Sequence, residues 1–463
     1  MSETLPSCGL VTLGQVAEAL GIEAVTAPET PVRGIVTDSR RLAPGDLFVA
    51  LVGERFDAHD FLAQVREAGA VAAVVSRGVD DPLPQLPVAD TRLALGLLGQ
   101  ARRRAWGGPL VAITGNSGKT TVKELLATLL GPGTLATRGN LNNDFGAPLT
   151  LLELTPAHRQ AVVELGANHL GEIAWTAALA APRVAVITNV TGAHVGEFGG
   201  LGQIAQAKGE ILAALPDDGV AVLNRDDRFF PVWRALARPR EVLDFAVVGE
   251  GESPARLQAR ALVCDALGRY AFTLVRDGRE LGRVQLALLG RHNVANALAA
   301  AAAALALGLD EATLLERLAA AQPLAGRLTP LAGIRGSRVL DDSYNANPGA
   351  VEAALGLLAE LPEPRWCLLG AMGELGEASP ALHARVGRHA RALGIQRLLT
   401  LGEGARPAAE AFGPGGEHFD DWQALARHAQ THLPPGASVL VKGSRSAGME
   451  RLVNALTARH QGE

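Results

Sequence analysis

The stretch Leu110-Val-Ala-Ile-Thr-Gly-Asn-Ser-Gly-Lys-Thr-Thr-Val-Lys-Glu-Leu-Leu126 constrains this chain more than any other. Leu110 to Thr114 is a short apolar, partly β-branched run, the pattern of a buried parallel strand. Gly115 and Gly118 break it, and from Thr120 onward the apolar residues Val122, Leu125, Leu126 and Leu129 read as a helix. Strand, glycine turn and helix together aim backbone N–H groups and the positive end of a helix dipole at an anion. Lys119 adds a point charge for the β/γ-phosphates, and the Thr120 hydroxyl is suited to Mg²⁺. Asn116, Ser117 and Thr121 complete the cradle. The common form of this loop has four residues between its glycines. Here there are two, with Ile113 where the first glycine would fall. Nucleotide binding is the reading; an ordinary βα turn is the alternative.

At 463 residues the chain predicts about three domains. With 48% hydrophobic and 20% charged residues it can bury sizeable cores and is not a disordered chain. The formal charge of −5 gives no general electrostatic reason to expect nucleic acid as a partner. Three cysteines, Cys8, Cys264 and Cys367, lie far apart with neither metal spacing nor a disulfide framework, which suits a reducing compartment. A signal-peptide pattern is not visible at the N-terminus. The most apolar stretch, Ala295 to Leu309, is mainly alanine and short for a membrane span, so it reads as a packed helix. A cytoplasmic protein without membrane insertion is expected, acting as a monomer.

Three units follow from the order of elements. Residues 1–84 read as a small α/β domain with a helix at Thr12 to Leu20 and strands at Leu47 to Leu51 and Ala70 to Val75. Ser39 and Arg40 place a hydroxyl and a guanidinium on a loop, suited to a diphosphate or simply solvated. Asp80 to Pro87, with three prolines, reads as a boundary. Residues 85–323 form a central, mostly parallel P-loop α/β domain. In it, Glu164 lies within the apolar strand Ala161 to Gly166, where a carboxylate must be paired or metal-bound. A Mg²⁺ ligand and a member of a buried ion pair are the two readings. The strand Val184 to Asn189 ends in polar residues, followed by Gly192-Ala-His194, and such ends open into the ligand crevice of α/β sheets. Lys208 lies in a helical pattern and by itself reads as a surface charge. Residues 255–289 suggest short β segments with an Asp277-Gly278 hairpin. Asn293 and Asn296 share a helix face, suited to a base or ribose, although Asn293 could instead cap the helix. Pro323 to Arg327 reads as a hinge into residues 324–463, a doubly wound, Rossmann-like α/β domain whose strands alternate with helices.

In this order, the motifs resemble the ATP-dependent Mur ligase family of peptidoglycan synthesis, over nearly the whole chain. The resemblance is carried by Asp38-Ser-Arg40 with Pro44-Gly-Asp-Leu-Phe48, Gly115-Asn-Ser-Gly-Lys-Thr-Thr121, Gly139-Asn-Leu-Asn-Asn143 and Glu164-Leu-Gly-Ala-Asn168. It continues through Gly290-Arg-His-Asn293, Asp342-Ser-Tyr-Asn-Ala-Asn-Pro348 and Lys442-Gly-Ser-Arg-Ser446. Ala58, where the family usually has glycine, and Phe145, where isoleucine is usual, are small departures. The resemblance implies a ligase that uses ATP and Mg²⁺ to join D-alanyl-D-alanine to UDP-N-acetylmuramoyl-tripeptide through an acyl phosphate. It also implies that the first domain holds the UDP-sugar end through Ser39 and Arg40, with Asn142 and Asn143 of the centre also at the UDP-sugar peptide. The centre would bind ATP, and the third domain would bring the dipeptide, with Asn345, Asn347 and Arg445 near it. By matching positions, Thr120, Glu164 and His194 would hold Mg²⁺, and Lys119, Glu164, His194 and Lys208 would form the catalytic group. Lys208 matches a lysine that other members carbamylate. Asn293 and Asn296 would lie near adenine and ribose, and Arg327 and Asp342 near the nucleotide across the hinge.

Two other functions stay open at this point. One is a related ligase that adds a single amino acid, whose usual Asp-Asn-Pro-Arg motif does not occur here. The other is a P-loop nucleotide switch, for which a GTPase's Asn-Lys-x-Asp base-reading motif is missing.

Overall fold

A computed structural model describes residues 9–457 except residue 24, residues 54–55, residues 191–197 and residue 250. Their strands form three sheets, mostly parallel, with helices between them. The first sheet orders β1 (Ile35–Val36), β2 (Leu47–Val49), β3 (Ala72–Val75) and β4 (Gln85–Pro87), all parallel. Its last strand runs past the boundary expected at residue 84. The proline-rich stretch folds back onto the sheet instead of leaving it, because the Gln85 amide pins the Val79 backbone at both ends, at 2.9 and 2.7 Å, and Leu86 is buried. Helix Thr91–Trp106 then covers this sheet with Ala94, Leu95 and Leu98.

The central sheet contains β5 (Leu110–Thr114), β6 (Thr134–Ala136), β7 (Gln160–Glu164), β8 (Val184–Ile187) and β9 (Val220–Asn224). It continues with β10 (Glu241–Val247), β11 (Leu257–Cys264), β12 (Arg269–Arg276) and β13 (Arg279–Leu289). Their spatial order is β13-β12-β11-β10-β9-β8-β5-β7-β6. β5 to β11 run parallel, and β12 pairs antiparallel with both β11 and β13. Both faces are buried, which is why β5 is a continuous apolar run: Val111 and Ile113 enter one core, Leu110 and Ala112 the other. The chain leaves β5 towards β6 on one side and later crosses to β8 on the other, so a crevice opens at the carboxyl ends around β5. The alanine-rich stretch is the packed helix Arg291–Ala306, whose small side chains allow close approach to the sheet.

The short β segments expected over residues 255–289 are instead long strands that extend this same sheet. One side of each packs on the core through Leu257, Phe272, Leu274, Val284 and Leu286, which stabilises their full length. The hairpin falls where expected, with Asp277 and Gly278 both at positive φ.

The third sheet orders β14 (Thr329–Ala332), β15 (Arg338–Asp342), β19 (Ser438–Lys442), β16 (Arg365–Gly370), β17 (Arg397–Leu401) and β18 (Gly416–Phe419). Only β14 is antiparallel, and separate cores cover the two faces. Asp342 and Lys442 stand side by side at the carboxyl ends of β15 and β19. Among the described residues no helix is long and apolar enough to cross a membrane.

Candidate active site

One cleft runs between the carboxyl ends of β5, β7 and β8 and the start of the third sheet's unit. Its floor is the loop after β5, where Gly115 and Gly118 both have positive φ. A Cβ would drive into Thr188 at the first and Asn296 at the second, so both positions require glycine. The loop is clamped from β8. Asn116 N–H donates to Asn189 O at 2.9 Å, and Thr188 Oγ1 donates to Ser117 O at 2.7 Å. The Asn189 amide pairs with the Ser117 backbone twice, accepting from its N–H at 3.1 Å and donating to its carbonyl at 3.1 Å. Lys119 Nζ donates to Gly115 O at 2.8 Å. Desolvation lowers the Lys119 pKa, Glu164 opposes that, and the Arg327 charge adds to it.

Glu164, at the end of β7, is buried with both oxygens engaged. Oε2 accepts from the Thr120 hydroxyl at 3.0 Å and Oε1 from the Asn142 amide at 2.7 Å. Among the described residues, the partners supplied to the carboxylate by direct hydrogen bonds are thus a hydroxyl and an amide, not a side-chain cation. That favours the metal reading over the simple ion pair, because a hydroxyl and a carboxylate form a hard-oxygen set suited to Mg²⁺. Arg327 reaches in from beyond the hinge, donating to Thr120 Oγ1 at 3.1 Å while its guanidinium stacks 4.3 Å from the Tyr344 ring centre.

Across the cleft, Lys442 Nζ donates to Asp342 Oδ2 at 2.6 Å and to Asn345 O at 2.9 Å. Both members of the pair are buried. Asp342→Ala leaves the ammonium of Lys442 uncompensated, and is expected to cost about 3–5 kcal/mol in the urea unfolding of this unit. An unchanged midpoint would contradict that pairing. His292 also lines the cleft; burial lowers its pKa, Asp342 opposes the shift and Lys442 reinforces it. Asn293 is not the helix cap, which is Gly290. Its Nδ2 donates to Leu289 O at 2.7 Å and its Oδ1 accepts from Asn296 Nδ2 at 2.8 Å.

The structure therefore brings together Asn116 to Thr121, Glu164, Asn293, Asn296, Arg327 and Asp342 around one cleft, together with Asn142, Asn345 and Asn347. Ser39, Arg40, Asn143 and Arg445 do not line it. Arg40 is exposed and held by Asp38 through two bonds of 2.9 and 2.8 Å. Asn142, expected at the UDP-sugar, lines the cleft and donates to Glu164. Asn143 Oδ1 accepts from Gly146 N–H at 2.9 Å, closing a loop whose Phe145 ring centre lies 3.9 Å from the Arg92 guanidinium. Arg445 is exposed, 6.0 Å from the Tyr344 ring centre and 3.7 Å from Glu450. Asn347, expected at the dipeptide, donates to Ser117 Oγ at 3.2 Å. His194 lies outside the described residues.

Lys208 is not a surface charge. It is 2% exposed, on helix Leu201–Gly209, with its amine 5.6 Å from the Phe198 ring centre. Desolvation and the Lys119 charge lower its pKa to about 7, against weaker opposition from Glu172 and Glu210. Thr188, Asn189, Asn140, Tyr344 and Lys442 also line or brace the site. Thr188, Asn189 and Lys442 stand at strand ends, which open into the crevice, and their partners come from distant segments.

A Mur ligase middle domain is matched over residues 113–304, a Mur ligase glutamate ligase domain over 326–445, and a Mur ligase family catalytic domain over 31–103. The chain belongs to the Mur ligase family. It is 44% identical over 450 residues to the UDP-N-acetylmuramoyl-tripeptide--D-alanyl-D-alanine ligase of Escherichia coli K12, covering 96% of this chain and 98% of that one. A crystal structure of MurF from Acinetobacter baumannii superposes with a TM-score of 0.88 at 39% identity, covering 97% and 99% of the two chains. The structure of MurF ligase from Thermotoga maritima in complex with ADP gives 0.81 at 28% identity, covering 92% and 97%.

Proposed function

We propose that this protein is an ATP-dependent carbon–nitrogen ligase that joins D-alanyl-D-alanine to UDP-N-acetylmuramoyl-tripeptide in the cytoplasm, yielding the pentapeptide precursor of peptidoglycan, ADP and phosphate. The observation that carries the reading is the full-length likeness to ligases of that name, combined with an intact nucleotide cradle facing Glu164. The protein acts as a monomer. The first unit, with Ser39 and Arg40, holds the UDP end; the centre binds ATP; the third unit, with Asn345 and Arg445, brings the dipeptide.

Amide formation from a free carboxylate is uphill in water, so the tripeptide carboxylate first attacks the γ-phosphorus. The bond from phosphorus to the β–γ bridging oxygen breaks, and ADP leaves. The dipeptide amine then attacks the acyl carbon, loses a proton, and expels phosphate. Lys119 and the loop N–H groups neutralise charge on the transferring oxygens, and Arg327 sets the Thr120 hydroxyl. Asn293 and Asn296 face the nucleoside, and Asp342 holds Lys442 at the other wall. Thr120, Glu164 and His194 would hold Mg²⁺, which supplies charge neutralisation on the phosphates when bound.

Lys208 acts as its carbamate. Carbamylation adds carbon dioxide to a neutral amine with release of one proton, and a pKa lowered to about 7 makes the neutral amine accessible near neutral pH. An anion there also relieves repulsion with Lys119. Lys208→Ala should lower turnover at least about tenfold and recover partly when acetate is added. No recovery, together with no carbamate carbon signal by NMR in native enzyme equilibrated with carbon-13 bicarbonate, would oppose the carbamate. The depressed pKa also sets a pH effect on unmodified protein. As pH falls from 10.5 towards 7, the unfolded chain takes up a proton that the folded chain does not. Stability therefore declines across that window, and the loss is complete below pH 7. Lys208→Met should flatten this slope in thermal unfolding under carbon-dioxide-free buffer.

Phosphate release with ATP and Mg²⁺ is the test of the whole reading, with the two substrates supplied singly and together. The expected result is release that needs both, with a product heavier by the dipeptide less water. A single amino acid replacing the dipeptide would indicate a related ligase, and release with neither substrate a nucleotide switch.

A further inference from the structure

Ser117 is where the central and third units meet through the nucleotide loop. Its backbone is committed to the central sheet, carbonyl and N–H both being taken by Thr188 and Asn189. Its side chain is reached from the other side, by Asn347. Asn347 caps helix Pro348–Glu360, and its Oδ1 accepts from Ala350 N–H at 2.9 Å. With the carbonyl end of the amide so occupied, the NH₂ end is the one that faces Ser117 Oγ at 3.2 Å. The serine oxygen therefore accepts, and its own proton points away from Asn347. Both residues line the cleft beside Lys119 and Thr120.

We propose that Asn347 is a positioning residue: docking of the third unit fixes the Ser117 hydroxyl as a donor to the transferring phosphoryl group. This rests on the cleft being the ATP site. When the third unit is withdrawn, the hydroxyl rotates freely and must reorganise during transfer; when it is docked, the donor is already aimed. Phosphoryl transfer is thereby favoured in the arrangement that also delivers the amine, and the acyl phosphate forms with water excluded. The helix cap and the sensor are the two ends of one amide, so the signal needs no moving part beyond the unit itself.

Three variants test this: Asn347→Ser, Ser117→Ala, and the two combined. Serine keeps the helix capped but is too short to reach Ser117. Each single variant should lower kcat about tenfold with KM for ATP changed less than about twofold. The combined variant should be no slower than the slower single, since both act through one hydrogen bond. Ser117→Ala touches no helix cap, so it carries the test alone if Asn347→Ser does not fold. Losses that multiply in the combined variant, or a Ser117→Ala enzyme with unchanged kcat, would overturn the proposal. Wild-type enzyme that fails to ligate the dipeptide would overturn the function itself instead.

Discussion

Lys119→Ala is expected to lower kcat about a thousandfold while the protein still folds. The amine sits where the nucleotide loop turns into helix Lys119–Leu130, and in this structure it folds back on Gly115 O. It is the cradle's own cation, placed at charge that grows during phosphoryl transfer. Alanine removes the bond to Gly115 O but also a desolvated charge, so the two changes oppose each other and the fold should survive. Thermal unfolding should show a cooperative transition close to that of the parent, while single-turnover kinetics show the loss. Near-normal turnover would remove Lys119 from the mechanism. A collapse in stability would mean that the amine is a structural tie.

Glu164→Gln should lower turnover about a hundredfold or more and raise the Mg²⁺ concentration needed for half-maximal rate about tenfold. Glutamine is isosteric. Its carbonyl can still accept from Asn142, and its amide can donate to the Thr120 oxygen, so the local geometry survives with the charge removed. A titration of rate against Mg²⁺ checks this directly. Reduced turnover with an unchanged Mg²⁺ requirement would make Glu164 a brace for Thr120 rather than a metal ligand.

The residues that the sequence revealed are those whose chemistry is local. A glycine turn between an apolar strand and a helix needs no distant information, and Glu164 stands out because its strand neighbours are apolar. Strand-end polarity likewise marked Thr188-Asn189 as crevice residues. Pairings across the fold were not legible. Asn142 meets Glu164 because the loop after β6 folds over the end of β7, and Asn347 meets Ser117 because two units close on each other. Arg40 shows a partner that is local: its guanidinium is held by Asp38 two residues away. Lys208 shows the converse. Its helical pattern resembles a solvated face, but the core that buries it is assembled from Phe198, Ile204 and Ala207 around the site.

The most direct test is to follow the carboxylate oxygens. UDP-N-acetylmuramoyl-tripeptide labelled with heavy oxygen in its reacting carboxylate is incubated with enzyme, ATP, Mg²⁺ and D-alanyl-D-alanine, and the released phosphate is weighed by mass spectrometry. Activation by attack on the γ-phosphorus predicts one labelled oxygen in each phosphate, because the acyl carbon–oxygen bond breaks when the amine attacks. Phosphate that carries no label would contradict an acyl phosphate and make ATP cleavage separate from bond formation.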